Sequence, residues 1–563
     1  MIISKAADVE CFVNLFSIVF VDMKDYFEKF SDCVEISIDK KGKEKRTPIP
    51  LTEKLTVQEI KERLDSVKKD IFWISDTDDS QLIQLVGYIN GMQAKYETRI
   101  SDSGEVNQIP IRYDIYGFNM LGYDDLMIKA FLMYFNRFDN TKYLLQKLKE
   151  ISDKIIDLQK DKDRFYEDKE IQLIRKFKLP YKTVDVQQVF ALNSAGVNVD
   201  KETGARTKFG KGLKQTSINI KWYNLLDFKL PPITEEENDT YYRKDIFKYH
   251  NYSAKQLNSL ITNDFDRYVM PEYIVPMVTY NVNDVFIVCE MARLFTDEIR
   301  LRYSIASAFK VDLLSSSRAN IADKLTVKFY SEMSGLQKDK FINERTQRSR
   351  LSFDKIIFPH ISFKTPQLQA LLEDMKKVYI YHTTKDSFSR EIEFYGTKYT
   401  LATGGIHSVD PPRICKSDDK YIYRHHDYTS YYPSIMISYM ISPKHLHQKS
   451  FTKMMSFLKD TRVKCKHGGD ENVIPNVQNS IAAEALKIVI NSIYGKLGYE
   501  NFMLYDNFAK LQVTINGQLM TMTLIEELEL NGIHVISANT DGIVIKLPRD
   551  KENVYKEITD LPD

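Results

Sequence analysis

The sequence predicts an α/β protein with at least two domains. At 563 residues the chain is too long for a single hydrophobic core. An alternating stretch typical of a strand, at 420–424, leads into an apolar stretch typical of a buried helix, at 435–440. Two more strand patterns, within 534–547, are joined by residues 539–542, which predicts a hairpin with Asp541 at its tip.

Charge and cysteine content narrow the class of protein. Lys and Arg number 79 against 78 Asp and Glu, so any nucleic-acid surface must be local. Residues 411–466 contain 11 basic and 4 acidic side chains interleaved with tyrosines, although a solvated basic face explains this run equally well. The five cysteines form no C-x-x-C pair, which favours a reducing, cytoplasmic compartment. Without a signal peptide or an 18-residue apolar run, we expect no membrane partner.

The central stretch, residues 425–434, places Asp427 where a strand ends and Pro433 at a natural first helical position. Asp427 is well placed to hold a metal, and Tyr432 to border the ligand of that metal. An aspartate at a strand end is also a common turn or cap residue.

A second pattern lies in a helix predicted over 480–497. Lys487, Asn491 and Tyr494 occur at i, i+4 and i+7, which puts a cation, an amide and a ring on one helix face. A helical lysine is usually solvated, and Asp-Gly is ordinary hairpin chemistry. Only the conjunction of the three patterns in this order lacks an ordinary explanation.

These stretches resemble motifs A, B and C of the family B (polymerase alpha-like) DNA polymerases: D-x-x-S-L-Y-P-S, K-x-x-x-N-S-x-Y-G and Y-x-D-T-D-S. Motif A matches with Tyr431 in place of Leu, and motif B matches at every fixed position. Motif C departs three times, because Tyr, the first Asp and the final Ser are replaced by Ser537, Asn539 and Gly542.

The resemblance implies a polymerase site. Asp427 and Asp541 would hold two Mg²⁺ ions, with Mn²⁺ as the alternative. The dNTP would be bound by Tyr432, Arg462, Lys466, Lys487, Asn491 and Tyr494. Within this set the three cations would neutralise the triphosphate, and Tyr432 would exclude a ribose 2′-OH.

Carboxylates also recur near the start of the chain. Asp8 and Glu10 lie two apart in a strand predicted over 7–13, so their side chains share one face. Two like charges held together favour a cation between them, although a polar strand face explains the pair about as often. A second strand is predicted over 15–21.

Two later patterns complete this set. Asn119 and Asp124 lie in a turn that feeds an apolar helix, and Tyr280 and Asp284 lie one turn apart where another helix is predicted to open. With Asp8 and Glu10 they resemble the Exo I (D-x-E), Exo II (N-x-x-x-F/Y-D) and Exo III (Y-x-x-x-D) motifs of the proofreading exonuclease of this family. The resemblance implies a second pair of metal ions, held by Asp8, Glu10, Asp124 and Asp284. Tyr280 would orient the attacking water, Asn119 would contact a single-stranded DNA end, and Asp125 is expected to face solvent.

The resemblance also implies an arrangement of domains. An RNase H-like 3′–5′ exonuclease domain would occupy 1–300, with an insertion at about 140–250 in which 144–158 form a long amphipathic helix. A family B palm with an antiparallel sheet and short helical fingers would follow, divided into a connection and first palm part (301–450), fingers (451–500) and a second palm part (501–563). Thr403, Gly404 and Gly405 resemble the Y-x-G-G/A motif that contacts template DNA, with Ala402 in place of Tyr.

The function expected from the resemblance is template-directed DNA synthesis with proofreading, on primer–template DNA with dNTPs. The 60 positions from Asp427 to Lys487 and the 54 from there to Asp541 lack room for the insertions of protein-primed relatives, which favours a nucleic-acid primer. Because 22 residues follow Asp541, no thumb is expected, which leaves open a separate thumb-bearing chain. The rival interpretations are a protein that is mainly a 3′–5′ exonuclease and a DNA-binding fragment. Frequent Lys, Ile, Asn and Tyr suggest an AT-rich phage or viral genome.

Overall fold

The chain forms two compact units, Met1–Tyr303 with Asp312–Ser317 and Ser304–Val311 with Arg318–Asp563. The computed structural model describes residues 1–38, 42, 44–100, 106–160, 162–190, 196–199, 206–209, 212–243, 251–381, 387–411, 414–428, 430–468, 472–475 and 477–559. Both units combine strands and helices, so the predicted mixed α/β class is confirmed. The predicted domain boundaries remain predictions, and parts of the 140–250 insertion and residues 560–563 lie outside the described residues.

The first unit is built on a six-stranded mixed sheet. The strands of the whole unit, in chain order, are β1 (Ile2–Cys11), β2 (Leu15–Asp22), β3 (Val34–Ile38), β4 (Glu44–Pro48), β5 (Lys69–Ser75), β6 (Lys95–Ile100), β7 (Val106–Gly117), β8 (Lys182–Asp185), β9 (Gly196–Val199) and β10 (Arg206–Phe209). The sheet has the order β5-β2-β1-β7-β6, and β8 also pairs with β7. The β1–β7 and β7–β8 pairs are parallel, whereas the others are antiparallel. The β3–β4 and β9–β10 pairs form separate two-stranded sheets.

Helices pack on both faces of this sheet. The helices of the first unit are α1 (Met23–Lys29), α2 (Val57–Asp65), α3 (Leu82–Asn90), α4 (Asp124–Tyr134), α5 (Thr141–Leu158), α6 (Lys162–Glu167), α7 (Lys169–Lys176), α8 (Val186–Val189), α9 (Leu213–Asn219), α10 (Glu235–Glu237), α11 (Ala254–Leu260) and α12 (Pro271–Leu294), and α13 (Thr296–Phe309) includes residues of both units. Strand side chains alternate between faces. Ala7 and Val9 therefore pack with α4 and α5, whereas Ala6 packs with α12.

The predicted strands at 7–13 and 15–21 and the predicted helix at 144–158 are confirmed as β1, β2 and α5. The start predicted for the helix around Tyr280 is wrong, because α12 begins at Pro271. Pro276 lies inside this helix. Proline disfavours a helix interior, so the sequence pattern places the helix start too late.

The second unit contains an antiparallel six-stranded sheet. The strands of the whole unit are β11 (Leu351–Ser352), β12 (Tyr379–Ile380), β13 (Ser389–Phe394), β14 (Thr397–Ala402), β15 (Ile406–Ser408), β16 (Tyr421–Asp427), β17 (His534–Asn539) and β18 (Gly542–Pro548). The order is β13-β14-β15-β17-β18-β16, and β11 pairs with β12 alone. The predicted hairpin is confirmed, with Thr540 and Asp541 between its strands.

The helices of the second unit carry two of the sequence patterns. They are α14 (Arg318–Ser334), α15 (Phe353–Ile356), α16 (Pro366–Lys376), α17 (Tyr431–Ser438), α18 (Gln448–His467), α19 (Asn479–Lys496), α20 (Asn507–Leu530) and α21 (Glu552–Thr559). Among them, α15, α16, α20 and α21 pack against this sheet. Leu511, Ile515 and Leu519 of α20 are buried against the sheet at helical spacing. Among the described helices, none is long and apolar enough to cross a membrane.

Candidate active sites

Three carboxylates of the first unit meet beside β1. Asp8 and Glu10 project from β1 and Asp284 from α12, and one oxygen of each lies within 4.8 Å of the other two. The period of two along β1 turns both of its carboxylates toward α12. Among the described residues, this is the one group of three or more such side chains close enough to share a metal ion.

Asp124, the fourth predicted ligand, lies next to this group without belonging to it. It is buried at the start of α4, where its Oδ1 accepts a hydrogen bond from the Val9 backbone N–H at 3.1 Å. Its charge is close enough to raise the pKa of both Asp8 and Glu10. The structure therefore places Asp124 in the same electrostatic environment but bound to the β1 backbone.

The electrostatics of the group favour a cation. Burial first, and then repulsion among the carboxylates, raises the pKa of Asp8 and Glu10 well above the usual values. Burial also raises the pKa of Asp284 to about 6. Clustered oxygen ligands whose charges repel each other fit a hard divalent ion such as Mg²⁺, which relieves the repulsion.

Two neighbouring side chains affect the pKa values of these carboxylates. Tyr280, one turn before Asp284 on α12, hydrogen-bonds to Asp284, which offsets part of the rise that burial causes in the pKa of that carboxyl. Lys214 of α9 has its Nζ 5.5 Å from the centre of the Tyr280 ring, and its charge also offsets part of the rise in the pKa of Glu10 and Asp284. The sequence patterns do not identify Lys214, because its place in the site depends on how α9 packs.

Asn119 reaches the same site through a tight turn. Its φ is +57°, and its carbonyl oxygen accepts hydrogen bonds from the N–H groups of Gly122 and Tyr123. A Cβ at Gly122 would lie 2.4 Å from the Asn119 Oδ1, so glycine leaves the space that this side chain occupies. The buried Asp185 carboxylate accepts the Leu121 N–H at 3.2 Å and fixes the turn to β8.

The prediction that Asp125 faces solvent is wrong. Asp125 is 3% exposed, and its carboxylate accepts hydrogen bonds from the Thr183 hydroxyl at 2.6 Å and the Tyr181 hydroxyl at 3.4 Å. Burial raises the pKa of Asp125 to about 6. Asp124 and Asp125 are thus both buried but have different hydrogen-bond partners, the β1 backbone for Asp124 and the hydroxyls next to β8 for Asp125.

In the second unit, the predicted metal ligands lie at one end of neighbouring strands. Antiparallel pairing of β16 with β18 places Asp427 opposite Gly542. The Tyr428 N–H donates to the Asp541 carbonyl oxygen at 2.9 Å. A Cβ at Gly542 would lie 2.3 Å from the Asp427 Oδ1, which is a physical reason for glycine where motif C has serine. Asp427 and Asp541 therefore lie at the same end of this sheet, and carboxylates are suitable oxygen ligands for Mg²⁺.

The Gly404–Gly405 pair contacts the same hairpin. The Thr540 N–H donates to the Ile406 carbonyl oxygen at 2.8 Å, and Gly405 has a φ of +155°. A Cβ on Gly405 would lie 2.9 Å from the Thr540 Oγ1. Glycine therefore allows this segment to approach the hairpin that carries Asp541.

Tyr431 and Tyr432 have different environments. The Tyr431 hydroxyl is buried, where it donates to the Gly517 carbonyl oxygen at 2.6 Å. The Tyr432 hydroxyl donates to the Gly404 carbonyl oxygen at 3.3 Å, and its ring centre lies 4.5 Å from that of Tyr494. Tyr431 thus belongs to the core under α17. Tyr432 connects its own stretch to the glycine pair at Gly404 and to Tyr494 of α19.

The helix after Asp427 begins earlier than predicted. Ser430, with a φ of +52°, precedes α17, and Tyr431 is the first helical residue. Pro433 is therefore the third residue of α17 and not the first. Proline is tolerated there because the first four N–H groups of a helix have no partner within it.

Of the predicted cations, Arg462 is directly connected to this site. On α18, its Nη1 donates to the Ser430 Oγ at 3.5 Å. Lys459, one turn earlier, donates to the Ser434 Oγ at 2.8 Å and was not identified from the sequence, although its i−3 spacing from Arg462 is a usable signal. Three other predicted residues are exposed on α18 and α19: Lys466, Lys487 and Asn491.

Comparisons with known proteins give a partial similarity. No protein-family model matches this chain. It is 29% identical over 154 residues to DNA polymerase 1 of Pyrococcus abyssi and 28% identical over 162 residues to a DNA polymerase of Thermococcus gorgonarius. These matches cover 23% and 24% of this chain and 20% and 21% of the relatives, so the chain spans about a fifth of the length of the curated relatives it matches.

A structural comparison gives a TM-score of 0.35 and 11% identity with the family B DNA polymerase from Pyrobaculum calidifontis, covering 99% of this chain and 55% of that chain. This score is too low to establish a shared fold. The relationship to DNA polymerases therefore rests on the sequence matches. Over roughly a quarter of its length, the chain is homologous to archaeal DNA polymerases.

Proposed function

We propose that this protein is a family B DNA polymerase that extends a nucleic-acid primer on a DNA template and removes nucleotides from 3′ ends at a second site. One observation carries the proposal. Tyr432 contacts both Gly404 and Tyr494, and Asp427 lies opposite Gly542, so four stretches that are distant in sequence converge on one site. The homology to archaeal DNA polymerases supports the same assignment.

In the proposed polymerase site, each chain residue has a distinct part. Asp427 and Asp541 would hold Mg²⁺, which neutralises charge on the reacting phosphates when it is bound. Arg462 and Lys459 lie one turn apart on α18 and add positive charge beside α17. Tyr432, held at its hydroxyl and its ring, presents a fixed aromatic side chain where the sugar of a dNTP would lie.

In the proposed exonuclease site, the acidic group binds Mg²⁺, and the surrounding side chains position the attacking water and the end of the single strand. Asp8, Glu10 and Asp284 would hold Mg²⁺, which polarises the phosphodiester when it is bound. Tyr280 hydrogen-bonds to Asp284 and would orient the water that attacks the terminal phosphorus. The Asn119 amide, fixed by its turn, would contact the end of a single strand.

One observation favours a second candidate, a protein that is mainly a 3′–5′ exonuclease. The first unit brings three carboxylates within 4.8 Å of one another. The hairpin of the second unit has the uncharged Asn539 where motif C has its first aspartate. The acidic group of the first unit is thus the more complete metal site, whereas the polymerase site depends on Asp427 and Asp541 alone.

A primer-extension assay distinguishes these functions. A 5′-labelled primer on a longer template is incubated with Mg²⁺, with and without dNTPs, and EDTA serves as the control. Extension with dNTPs supports the polymerase, and shortening in both reactions without extension supports the second candidate. If the primer stays unchanged, neither activity belongs to this chain alone, which is the result expected of a DNA-binding fragment.

The proposed setting is the replication of a phage or viral genome in the host cytoplasm. Lys, Ile, Asn and Tyr, which are encoded by AT-rich codons, are frequent in the sequence, and this composition fits a virus with an AT-rich genome. The five cysteines all lie in the described part of the chain and form no disulfide, which agrees with a reducing compartment. A gene neighbourhood with other replication proteins would test this setting.

A further inference from the structure

An imidazole lies beside Asp427, the first of the two carboxylates in the proposed polymerase site. His425 and Asp427 are two positions apart on β16, so their side chains share one face of the sheet. The His425 Nε2 lies 3.2 Å from the Asp427 Oδ1, and the two side chains are 60% and 62% exposed. A second kind of metal-ligating atom is therefore accessible at this carboxylate.

The adjacent histidine has a different environment. His426 alternates to the other face of β16, where it is half-buried and its Nδ1 lies 2.8 Å from the Tyr555 hydroxyl of α21. His426 thus has a packing role next to a helix. The imidazole of His425 instead faces the end of the sheet that carries Asp427 and Asp541.

The glycine of the hairpin leaves the space for this pair. A Cβ at Gly542 would lie 2.3 Å from the Asp427 Oδ1 and 3.1 Å from the His425 Nε2, so both atoms lie over the same residue. Directly opposite Gly542 on β17 is the uncharged Asn539. Two of the departures from motif C therefore border this pair. One makes room for the imidazole, and the other leaves the hairpin with one carboxylate fewer.

The distance between the two ligand atoms fits a shared metal ion. Neighbouring ligands at right angles around an octahedral ion, each about 2.1 Å from it, lie about 3.0 Å apart. The 3.2 Å between the His425 Nε2 and the Asp427 Oδ1 is close to this separation. Imidazole suits transition-metal ions, whereas carboxylates are also good ligands for Mg²⁺. One imidazole added to two carboxylates therefore favours a transition-metal ion.

We propose that His425 is a third ligand of the ion held by Asp427 and Asp541, and that its imidazole makes this site select a first-row transition-metal ion over Mg²⁺. The inference rests on the polymerase function proposed above, because that function assigns the two carboxylates to metal binding. Mn²⁺ is the suitable probe, since it is paramagnetic and accepts both oxygen and nitrogen ligands.

The test uses the full-length chain carrying Asp8→Ala and Glu10→Ala, which weakens ion binding in the first unit. Mn²⁺ is added without DNA or dNTP, and pulsed EPR records whether a nitrogen nucleus is coupled directly to the bound ion. His425→Gln removes the imidazole at an exposed position, and His426→Gln on the same strand is the matched control. The melting temperature of each variant shows that it is folded.

We expect nitrogen coupling in the parent and in His426→Gln, and none in His425→Gln. The Kd of Mn²⁺, measured from the EPR signal of the free ion, should rise about tenfold or more in His425→Gln, since even an outer-shell partner of a metal ligand contributes this much. The Kd of Mg²⁺, measured by competition with Mn²⁺, should change little. The preference for Mn²⁺ over Mg²⁺ should therefore shrink in this variant.

Three results would overturn the inference: no bound Mn²⁺ in the parent, bound Mn²⁺ without nitrogen coupling, or coupling that persists in His425→Gln. Bound Mn²⁺ without coupling would mean that the contact between His425 and Asp427 is a hydrogen bond only.

These measurements involve no catalysis, so the inference and the polymerase function fail separately. Coupling that depends on His425 in a chain that extends no primer would support the metal ligand and refute the polymerase. Primer extension by a chain whose Mn²⁺ shows no nitrogen coupling would support the polymerase and refute the metal ligand.

Discussion

The Tyr432 hydroxyl donates a hydrogen bond to the Gly404 carbonyl oxygen at 3.3 Å. On its other side, the Tyr432 ring centre lies 4.5 Å from that of Tyr494. Burial, and to a smaller extent the charge of Asp541, raises the pKa of the Tyr432 phenol, so this ring lies close to the proposed metal site. The side chain that we propose as a sugar gate is therefore restrained from two directions.

Removing this ring should relax sugar selection. We expect Tyr432→Ala to raise ribonucleotide incorporation relative to dNTP about tenfold or more, since steric exclusion at C2′ is lost. Competitive primer extension with both nucleotide types measures the ratio. Tyr432→Phe keeps the ring and should keep the selection.

Tyr431→Ala is the matched comparison for the neighbouring ring. The Tyr431 hydroxyl bonds to the Gly517 carbonyl oxygen in the core, so its loss should lower the melting temperature and leave the nucleotide ratio unchanged. Equal changes in the ratio for Tyr431→Ala and Tyr432→Ala would show that the sugar gate is assigned to the wrong residue.

Asp541→Asn should abolish extension and leave primer degradation intact. Asp541 is the one carboxylate at the hairpin tip, because its neighbour two positions earlier is Asn539. Loss of a metal ligand should cost on the order of 10³-fold in the extension rate. Quantitative primer extension measures this loss, and a rate within about tenfold of the parent would refute the assignment.

Asn539→Asp is the matched control for this variant. It restores the family pattern at the exposed neighbour in the hairpin and should keep or increase extension. A large loss in Asn539→Asp would mean that the hairpin tolerates no change, and the effect of Asp541→Asn would then not report on metal binding.

The double variant Asp8→Ala, Glu10→Ala should stop degradation of single-stranded ends while extension continues. Both carboxylates belong to the group within 4.8 Å, and neither lies in the second unit. Degradation of a labelled single strand with Mg²⁺ is the measurement. Asp157→Ala, an exposed carboxylate on α5, is the control, and degradation by the double variant at the parent rate would contradict the site.

The acidic group should make stability depend on pH and on Mg²⁺. Asp284 has a pKa raised to about 6 in the folded protein, and the pKa values of Asp8 and Glu10 are also raised. An unfolded carboxyl group titrates near pH 4. The folded protein therefore holds more protons between these values, and its unfolding free energy without metal should fall as pH rises from about 4 to about 6.

Thermal melts in EDTA and in Mg²⁺ measure this dependence. Added Mg²⁺ should raise the melting temperature near pH 7, where the carboxylates are ionised, and have little effect near pH 4.5. In the variant Asp8→Asn, Glu10→Gln, both the slope with pH and the effect of Mg²⁺ should shrink. An equal effect of Mg²⁺ at both pH values would contradict binding at this group.

The local geometry of both sites follows from residue spacing along the chain. The i, i+2 spacing of Asp8 and Glu10 gives a shared face once the segment is a strand, and β1 is that strand. The spacing of Lys487, Asn491 and Tyr494 likewise gives one face of α19. Such periodicities follow from backbone dihedral angles alone, so they can be read without knowing any partner.

The residues that contact these faces depend on the tertiary packing. Three contacts join residues from separate elements: the bond from Thr183 to the buried Asp125, the approach of Lys214 to Tyr280 and the bond from Tyr432 to Gly404. No local pattern specifies these pairs, because each contact depends on how whole helices and strands pack. Tyr431 and Tyr432 are adjacent in sequence, so their spacing does not tell which ring faces the core. Packing around α17 places the Tyr431 ring in the core and the Tyr432 ring against Tyr494 at the site.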